Sequence, residues 1–167
     1  MQLILIRHGK AEDRSLFSFS GKKDKARALT ESGRRQMRKV AAGLRTLVSD
    51  IDVLVTSPLV RAQQTAAIVA DVFAVSDIVE QPSLAPGGDA SSLLAWLARQ
   101  PTAATIAVVG HEPDLSHFAG LLIAGNEESF LMLKKGACAL IEFTHKPVAG
   151  RGRLVWLMQP SVLRKLG

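Results

Sequence analysis

The sequence predicts a three-layer α/β/α fold around a mainly parallel sheet. Three observations carry that expectation. Short all-apolar runs at residues 3–6, 53–55 and 106–109 are what strands buried on both faces require. Between them lie segments whose apolar residues recur at helical spacing, so strand and helix alternate for most of the length. The 167 residues, 47% of them hydrophobic, suit one domain of about 150 residues or somewhat more. A chain of that size buries roughly 70% of its unfolded surface.

The elements follow in order. Leu3, Ile4, Leu5 and Ile6 form the first strand, and the polar, mixed-charge residues 9–28 read as a long loop. Thr30 is a suitable N-cap, after which Met37, Val40, Ala41, Leu44, Leu47 and Val48 fall on one helical face. Ile51, Val53, Leu54 and Val55 give a second strand. Ser57-Pro58 then reads as a helix start, with proline at the first helical position, running on through Thr65, Ile68, Val69 and Val72. Residues 78–80 give a weaker strand, residues 82–89 a turn, and residues 91–99 a helix stopped by Pro101. Ile106, Ala107, Val108 and Val109 form a third strong strand ended by Gly110. Pro113 opens a helix through Leu115, Phe118, Leu121 and Leu122. Residues 137–143 and 153–157 fit a hairpin or sheet edge. No repeat or linker interrupts the chain, so residues 1–167 read as a single domain.

The formal charge is +6, but it is unevenly placed. Residues 1–66 hold 13 basic and 6 acidic side chains, residues 67–133 hold 1 and 8, and residues 134–167 hold 7 and 1. A basic coat for nucleic acid or anionic lipid would not leave an acidic middle third. The pattern fits a bipolar protein with a local anion site, and neither nucleic acid nor membrane is expected as a partner. Lys22, Lys23, Lys25, Arg34, Arg35, Arg38 and Lys39 read as solvating a loop and a helix face. One cysteine excludes an internal disulfide framework and suits a reducing compartment. The start of the chain lacks a basic leader region, and no uncharged stretch reaches the ~18 residues of a membrane helix, so a cytoplasmic protein is expected.

The chemistry concentrates where strands end. The first strand runs into Arg7-His8-Gly9, the second into Thr56-Ser57-Pro58 with Arg61 one turn on, and the third into Gly110-His111-Glu112-Pro113. In an open α/β sheet, ligands sit outside the carboxyl ends of the strands. If these strands are parallel, two arginines and two histidines meet at one rim, a cationic set that fits a phosphate dianion. Arg61 in a first helical turn opposes the macrodipole, a penalty of about 0.3–1 kcal/mol that a bound anion reverses. Arg7, directly after a buried strand, needs a partner or a ligand, and Gly9 lets backbone approach that ligand. A neutral His8 ring attacks phosphorus to give a phosphohistidine, provided its other ring N–H is held by a group such as a backbone carbonyl. His111 is placed to bond the transferred phosphoryl oxygens.

Competing motifs fail. The phosphate loop GxxxxGK[ST] is absent, and Gly150-Arg151-Gly152 lacks a third glycine and a following helix. A cysteine phosphatase needs an arginine six residues after its nucleophile, where Cys138 has Thr144, so Cys138 reads as core. Asp50-Ile51-Asp52-Val53 precedes its strand, the wrong order for an aspartate nucleophile. The zinc pattern HExxH fails at Leu115, so no metal is expected. His117 reads as a packed residue and His145 as a loop residue.

Arg7-His8-Gly9 after an apolar strand, Ser57-Pro58-Leu59-Val60-Arg61-Ala62-Gln63-Gln64-Thr65 and Gly110-His111 together resemble the histidine phosphatase (phosphoglycerate mutase-like) superfamily. Within it, the chain is most similar to the SixA-type phosphohistidine phosphatases. That closer likeness adds Leu29-Thr30-Glu31-Ser32-Gly33, Leu84-Ala85-Pro86-Gly87-Gly88-Asp89 and the tail from Trp156 to Pro160. The resemblance implies a phosphoglycerate mutase-like fold. It implies His8 as the phosphorylated nucleophile, Arg7, Arg61 and His111 as the phosphate pocket, and no metal or other cofactor. Larger members carry a glutamate general acid where this chain reads Leu84-Ala85-Pro86. A phosphohistidine imidazole leaves more readily than an alcohol, which agrees with the SixA-type likeness, and Asp89 or Glu112 can substitute as proton donor.

The expected function is therefore a metal-independent phosphatase acting through phospho-His8. Its substrate is a phosphohistidine-bearing signalling protein, a histidine phosphotransfer or phosphocarrier domain, and inorganic phosphate is the product. Long insertions that cap small-substrate pockets are missing, so the rim should admit a protein surface. The alternatives are a small-molecule phosphomonoesterase of the same fold and a phosphate-binding module without turnover.

Overall fold

The computed structural model describes residues 1–19 and 21–167. Its strands are β1 (Gln2–Arg7), β2 (Val53–Thr56), β3 (Ile78–Glu80), β4 (Thr105–Gly110), β5 (Cys138–Glu142) and β6 (Arg153–Met158). They form one sheet in the order β3-β2-β4-β1-β5-β6. The first four positions are parallel, while β5 runs antiparallel to both β1 and β6. The mixed α/β fold with a mainly parallel sheet is thus the expected one, and the two late strands form its antiparallel edge.

The helices are α1 (Arg14–Ser18), α2 (Glu31–Arg45), α3 (Val60–Phe73), α4 (Ala90–Leu97), α5 (Asp114–Ala124) and α6 (Pro160–Leu166). Alternation along each strand sorts the core into two layers. Ile4, Ile6, Leu54, Ala107 and Val109 face α2, α3 and α6 through Met37, Leu44, Ala66, Val69 and Leu163. Leu3, Leu5, Val55, Ile106 and Val108 face α4 and α5 through Leu93, Leu97, Leu115, Phe118 and Leu122. Gly43 lets α6 lie on α2, because a β-carbon there would collide with the Leu163 carbonyl. No helix among the described residues is long and apolar enough to cross a membrane.

Three local expectations need correction, and one helix was not expected. The loop of residues 9–28 holds α1, capped by Asp13, and a 3₁₀ turn at Asp24–Ala26. The second helix begins at Val60, not at Pro58. Ser57 still follows the strand ladder, its N–H donating to the Val109 carbonyl at 3.0 Å, so Pro58 sits in the turn that follows. The helix from Thr30 ends at Arg45, leaving Leu47 beyond it and partly exposed. Helix α6 has no counterpart in the periodicity reading: the seven residues from Pro160 to Leu166 are too few to display a period.

Candidate functional site

The parallel register builds the site. Arg7 at the end of β1 pairs with Gly110 at the end of β4, and Thr56 on β2 pairs with Val109. One residue further on, His8 donates its N–H to the Gly110 carbonyl at 3.1 Å and Ser57 donates to Val109. The ladder therefore carries His8, Ser57 and His111 past the sheet edge together. The His8 and His111 rings lie 5.0 Å apart. Both are buried, at 6% and 3% exposure. Arg7, His8, Arg61, His111, Glu112 and Lys135 line one cleft of about 600 Å³.

His8 Nδ1 lies 2.7 Å from the Gly9 carbonyl. A carbonyl only accepts, so Nδ1 carries the proton and the lone pair is left on Nε2. Burial, then the nearby Arg61 and Arg7, push its pKa down to about 4, so the ring is neutral at neutral pH. His111 is pushed down to about 3 by burial, His8 and Arg61. Its Nε2 lies 2.8 Å from Ser57 Oγ, which itself accepts the Leu59 N–H at 3.3 Å. The serine hydroxyl proton is then free to point at His111 Nε2, leaving the ring hydrogen on Nδ1.

Among the described residues, the buried side-chain nitrogens without a hydrogen-bond partner are Arg7 Nε, Arg61 Nε and His111 Nδ1. Burying a donor unpaired is costly, and all three belong to residues that line this cleft. With the Arg7 and Arg61 guanidinium groups and Lys135 also lining it, the cleft is a candidate anion site.

Each arginine already has a partner on the protein. Arg7 Nη1 donates to the Leu133 carbonyl at 2.6 Å. Arg61 Nη1 lies 3.1 Å from a carboxylate oxygen of Asp24 and donates to the Asp24 carbonyl at the same distance. The other Asp24 oxygen accepts from Arg27 Nε at 3.0 Å. Burial would raise the Asp24 pKa, but Arg27 and Arg61 outweigh it and hold the carboxyl below its usual range. Arg27 is buried and also lines the cleft. Thr65 ties the strand end to α3: its Oγ1 donates to the Arg61 carbonyl at 2.8 Å and accepts the Gly9 N–H at 3.1 Å.

Two expected residues stand elsewhere. Gly9 spends its N–H on Thr65 and its carbonyl on His8, and a β-carbon there would collide with Met37. Its glycine character serves packing beneath the strand end, and it does not line the cleft. Asp89 caps α4, accepting from the Ser91 and Ser92 backbone and the Ser92 hydroxyl. Those bonds, the Ser92 hydroxyl foremost, hold its carboxyl low, and it lies outside the cleft. Glu112 is different. It lines the cleft half-buried, burial raises its pKa, and Ser116 Oγ lies 2.7 Å from each carboxylate oxygen one turn along α5.

The sequence reading assigned no role to Ser57, Thr65, Asp24, Arg27 or Lys135. Ser57 and Thr65 were visible as parts of the motif around Arg61. The Asp24–Arg27 pair is two charges three residues apart in a polar loop, a spacing with no distinguishing signal. No group of three or more His, Cys, Asp or Glu side chains among the described residues is placed to hold a metal ion.

Residues 3–85 match the histidine phosphatase superfamily (branch 1). An uncharacterized protein of Picosynechococcus sp. (strain PCC 7002) is 36% identical over 141 residues, 81% of each chain. The phosphohistidine phosphatase SixA of Escherichia coli K12 is 28% identical over 167 residues, covering 98% of this chain and 97% of its own. A solved structure of the protein histidine phosphatase SixA complexed with tungstate aligns with a TM-score of 0.82 at 28% identity, covering 96% of this chain and 98% of that one. The family match, the motifs at three strand ends and likeness along almost the whole length agree, and the chain belongs to the histidine phosphatase superfamily as a SixA-type member.

Proposed function

We propose that this phosphatase removes the phosphoryl group from phosphohistidine on a protein, through a covalent phospho-His8 intermediate and without a metal ion. The observation that carries the reading is the neutral, oriented His8 beside three unpartnered buried donors on Arg7, Arg61 and His111. A pure binding module would need the donors but not a histidine whose Nε2 lone pair is set free by a bond at Nδ1.

In the proposed reaction, His8 Nε2 attacks phosphorus in line while the bond to the substrate imidazole breaks. The two arginines and the His111 Nδ1–H balance charge on the equatorial oxygens. Protonated Glu112 gives its proton to the departing imidazole, which leaves neutral. The Nδ1 proton of His8 stays in place against the Gly9 carbonyl and stabilises the phosphorylated ring. Water then attacks phosphorus, Glu112 takes the water proton, and inorganic phosphate departs from a neutral His8. Atoms and charges return to their starting state without any further group.

A small-molecule phosphomonoesterase is the second reading, and Glu112 favours it, since an alcohol leaving group needs a proton most. The assay that separates the two compares kcat/KM for a phosphohistidine protein with that for an aryl phosphate. Faster turnover of the phosphoprotein supports the proposal. Faster turnover of the aryl ester contradicts it, and phosphate binding without turnover of either leaves a binding module.

A further inference from the structure

The four most exposed large hydrophobic side chains among the described residues are Phe19 (86%), Leu16 (73%), Met132 (70%) and Phe130 (56%). They fall in two segments, α1 with its C-terminal flank and the connection from α5 to β5. Both segments border the cleft. The first lines it through Glu12, Asp13 and Arg14, and continues into a shallow trough lined by Asp13, Leu16 and Lys22. The second reaches it through Lys135 and through Leu133, whose carbonyl holds Arg7. No residue of α1 is buried, yet the Asp13 cap holds the helix in place and presents its apolar side chains outward.

The first segment is basic, and the second balances the exposed Lys134 and Lys135 against Glu127 and Glu128. Lys10, Arg14, Lys22, Lys23, Lys25, Lys134 and Lys135 are all exposed. Of the nearby carboxylates, Asp24 is engaged by Arg27 and Arg61, Asp13 caps α1 and Glu12 accepts the Ala28 N–H, so five exposed cations in the first segment face three partnered carboxylates. Exposed apolar side chains on both flanks of the cleft, one flank net basic, mark an interaction surface for a partner of opposite charge.

We propose that these two segments form the docking surface for a folded phosphoprotein whose phosphorylated side chain is set in an acidic face with exposed apolar groups. This rests on the phosphohistidine reading for the identity of the phosphoryl donor. A free metabolite bound by Arg7, Arg61 and His111 makes no use of four apolar side chains outside the cleft. A bilayer would cover the cleft mouth without delivering a phosphoryl group, whereas a protein seated on the rim delivers one to His8.

The test uses a histidine phosphotransfer domain of net negative charge, phosphorylated and unphosphorylated, titrated against the full chain. Three variants are compared with wild type: Leu16→Ser with Phe19→Ser, Phe130→Ser with Met132→Ser, and Lys22→Glu with Lys23→Glu. Each is expected to weaken binding of both forms at least tenfold and to leave kcat/KM on an aryl phosphate within twofold. The lysine variant should also flatten the salt dependence of binding. Unchanged binding, absent binding by wild type, or a parallel loss of aryl phosphatase activity overturns the docking surface. So does rim-dependent binding to anionic vesicles while the domain binds all variants equally. Rim-dependent binding without hydrolysis of the bound phosphohistidine supports the docking surface and overturns the phosphohistidine reading instead.

Discussion

The neutral His8 that the proposed reaction needs is set by two local features: the Gly9 carbonyl fixes the tautomer and burial fixes the charge. His8→Ala should abolish turnover while inorganic phosphate binding, read by titration calorimetry, stays within a few-fold. Arg61→Ala should lower kcat by roughly 10²–10³, the usual cost of removing a preorganised donor. Glu112→Gln should slow aryl phosphates in proportion to the basicity of the leaving group, by about 10²-fold or more for the poorest and little for the best. A uniform loss across leaving groups would remove Glu112 from proton transfer. The two histidines also make a stability prediction. Their native pKa values, about 4 and about 3, lie below the ordinary 6.5. As pH falls below 6.5 the unfolded chain takes up protons that the native rings refuse, so stability falls, by about 1.4 kcal/mol per pH unit for each histidine. Above that range they contribute no slope. Urea unfolding between pH 7.5 and 5 should show the fall, and His111→Gln should remove about half of it.

At the scale of elements, α6 depends on a glycine. Alanine at position 43 would favour α2 by up to about 1 kcal/mol from propensity, but its β-carbon would meet the Leu163 carbonyl. Overpacking of that kind costs about 1–3 kcal/mol, so Gly43→Ala should lower the urea midpoint and speed amide exchange in residues 160–166. An unchanged midpoint would mean that α6 shifts freely. The same helix marks where sequence reading ended. Buried strands such as β1 and β4 are legible because four apolar residues in a row suit few other structures, and α2 and α5 because their apolar faces repeat over three turns. Helix α6 buries only Leu163, and a single anchor has no period. Ser57-Pro58 misled for a different reason: proline is compatible with a turn and with a first helical position, and the serine's bond to Val109 decides between them. The histidines and arginines at the strand ends were legible because parallel strands bring such ends together. Gly9 and Asp89 were not, since one serves packing against Met37 and the other caps a helix.

Across the whole molecule, the uneven charge acquires a place. The basic first third supplies Arg7 and Arg61, the acidic middle third supplies His111 and Glu112, and β1 beside β4 joins them. That junction is where the chain reverses its winding: β2 and β3 lie beyond β4 on one side, and β5 and β6 flank β1 on the other. A ligand site outside the strand ends at such a reversal is the general expectation for open α/β sheets. The central claim is that phosphate passes through His8 on its way from phosphohistidine to water. Its most direct measurement is a rapid-quench experiment with a protein carrying radiolabelled phosphohistidine. The expected result is transient label on this chain, stable to base and lost in acid, that decays as inorganic phosphate appears and is absent in His8→Ala. Phosphate release at an undiminished rate with no label on the chain, or from His8→Ala, would contradict it.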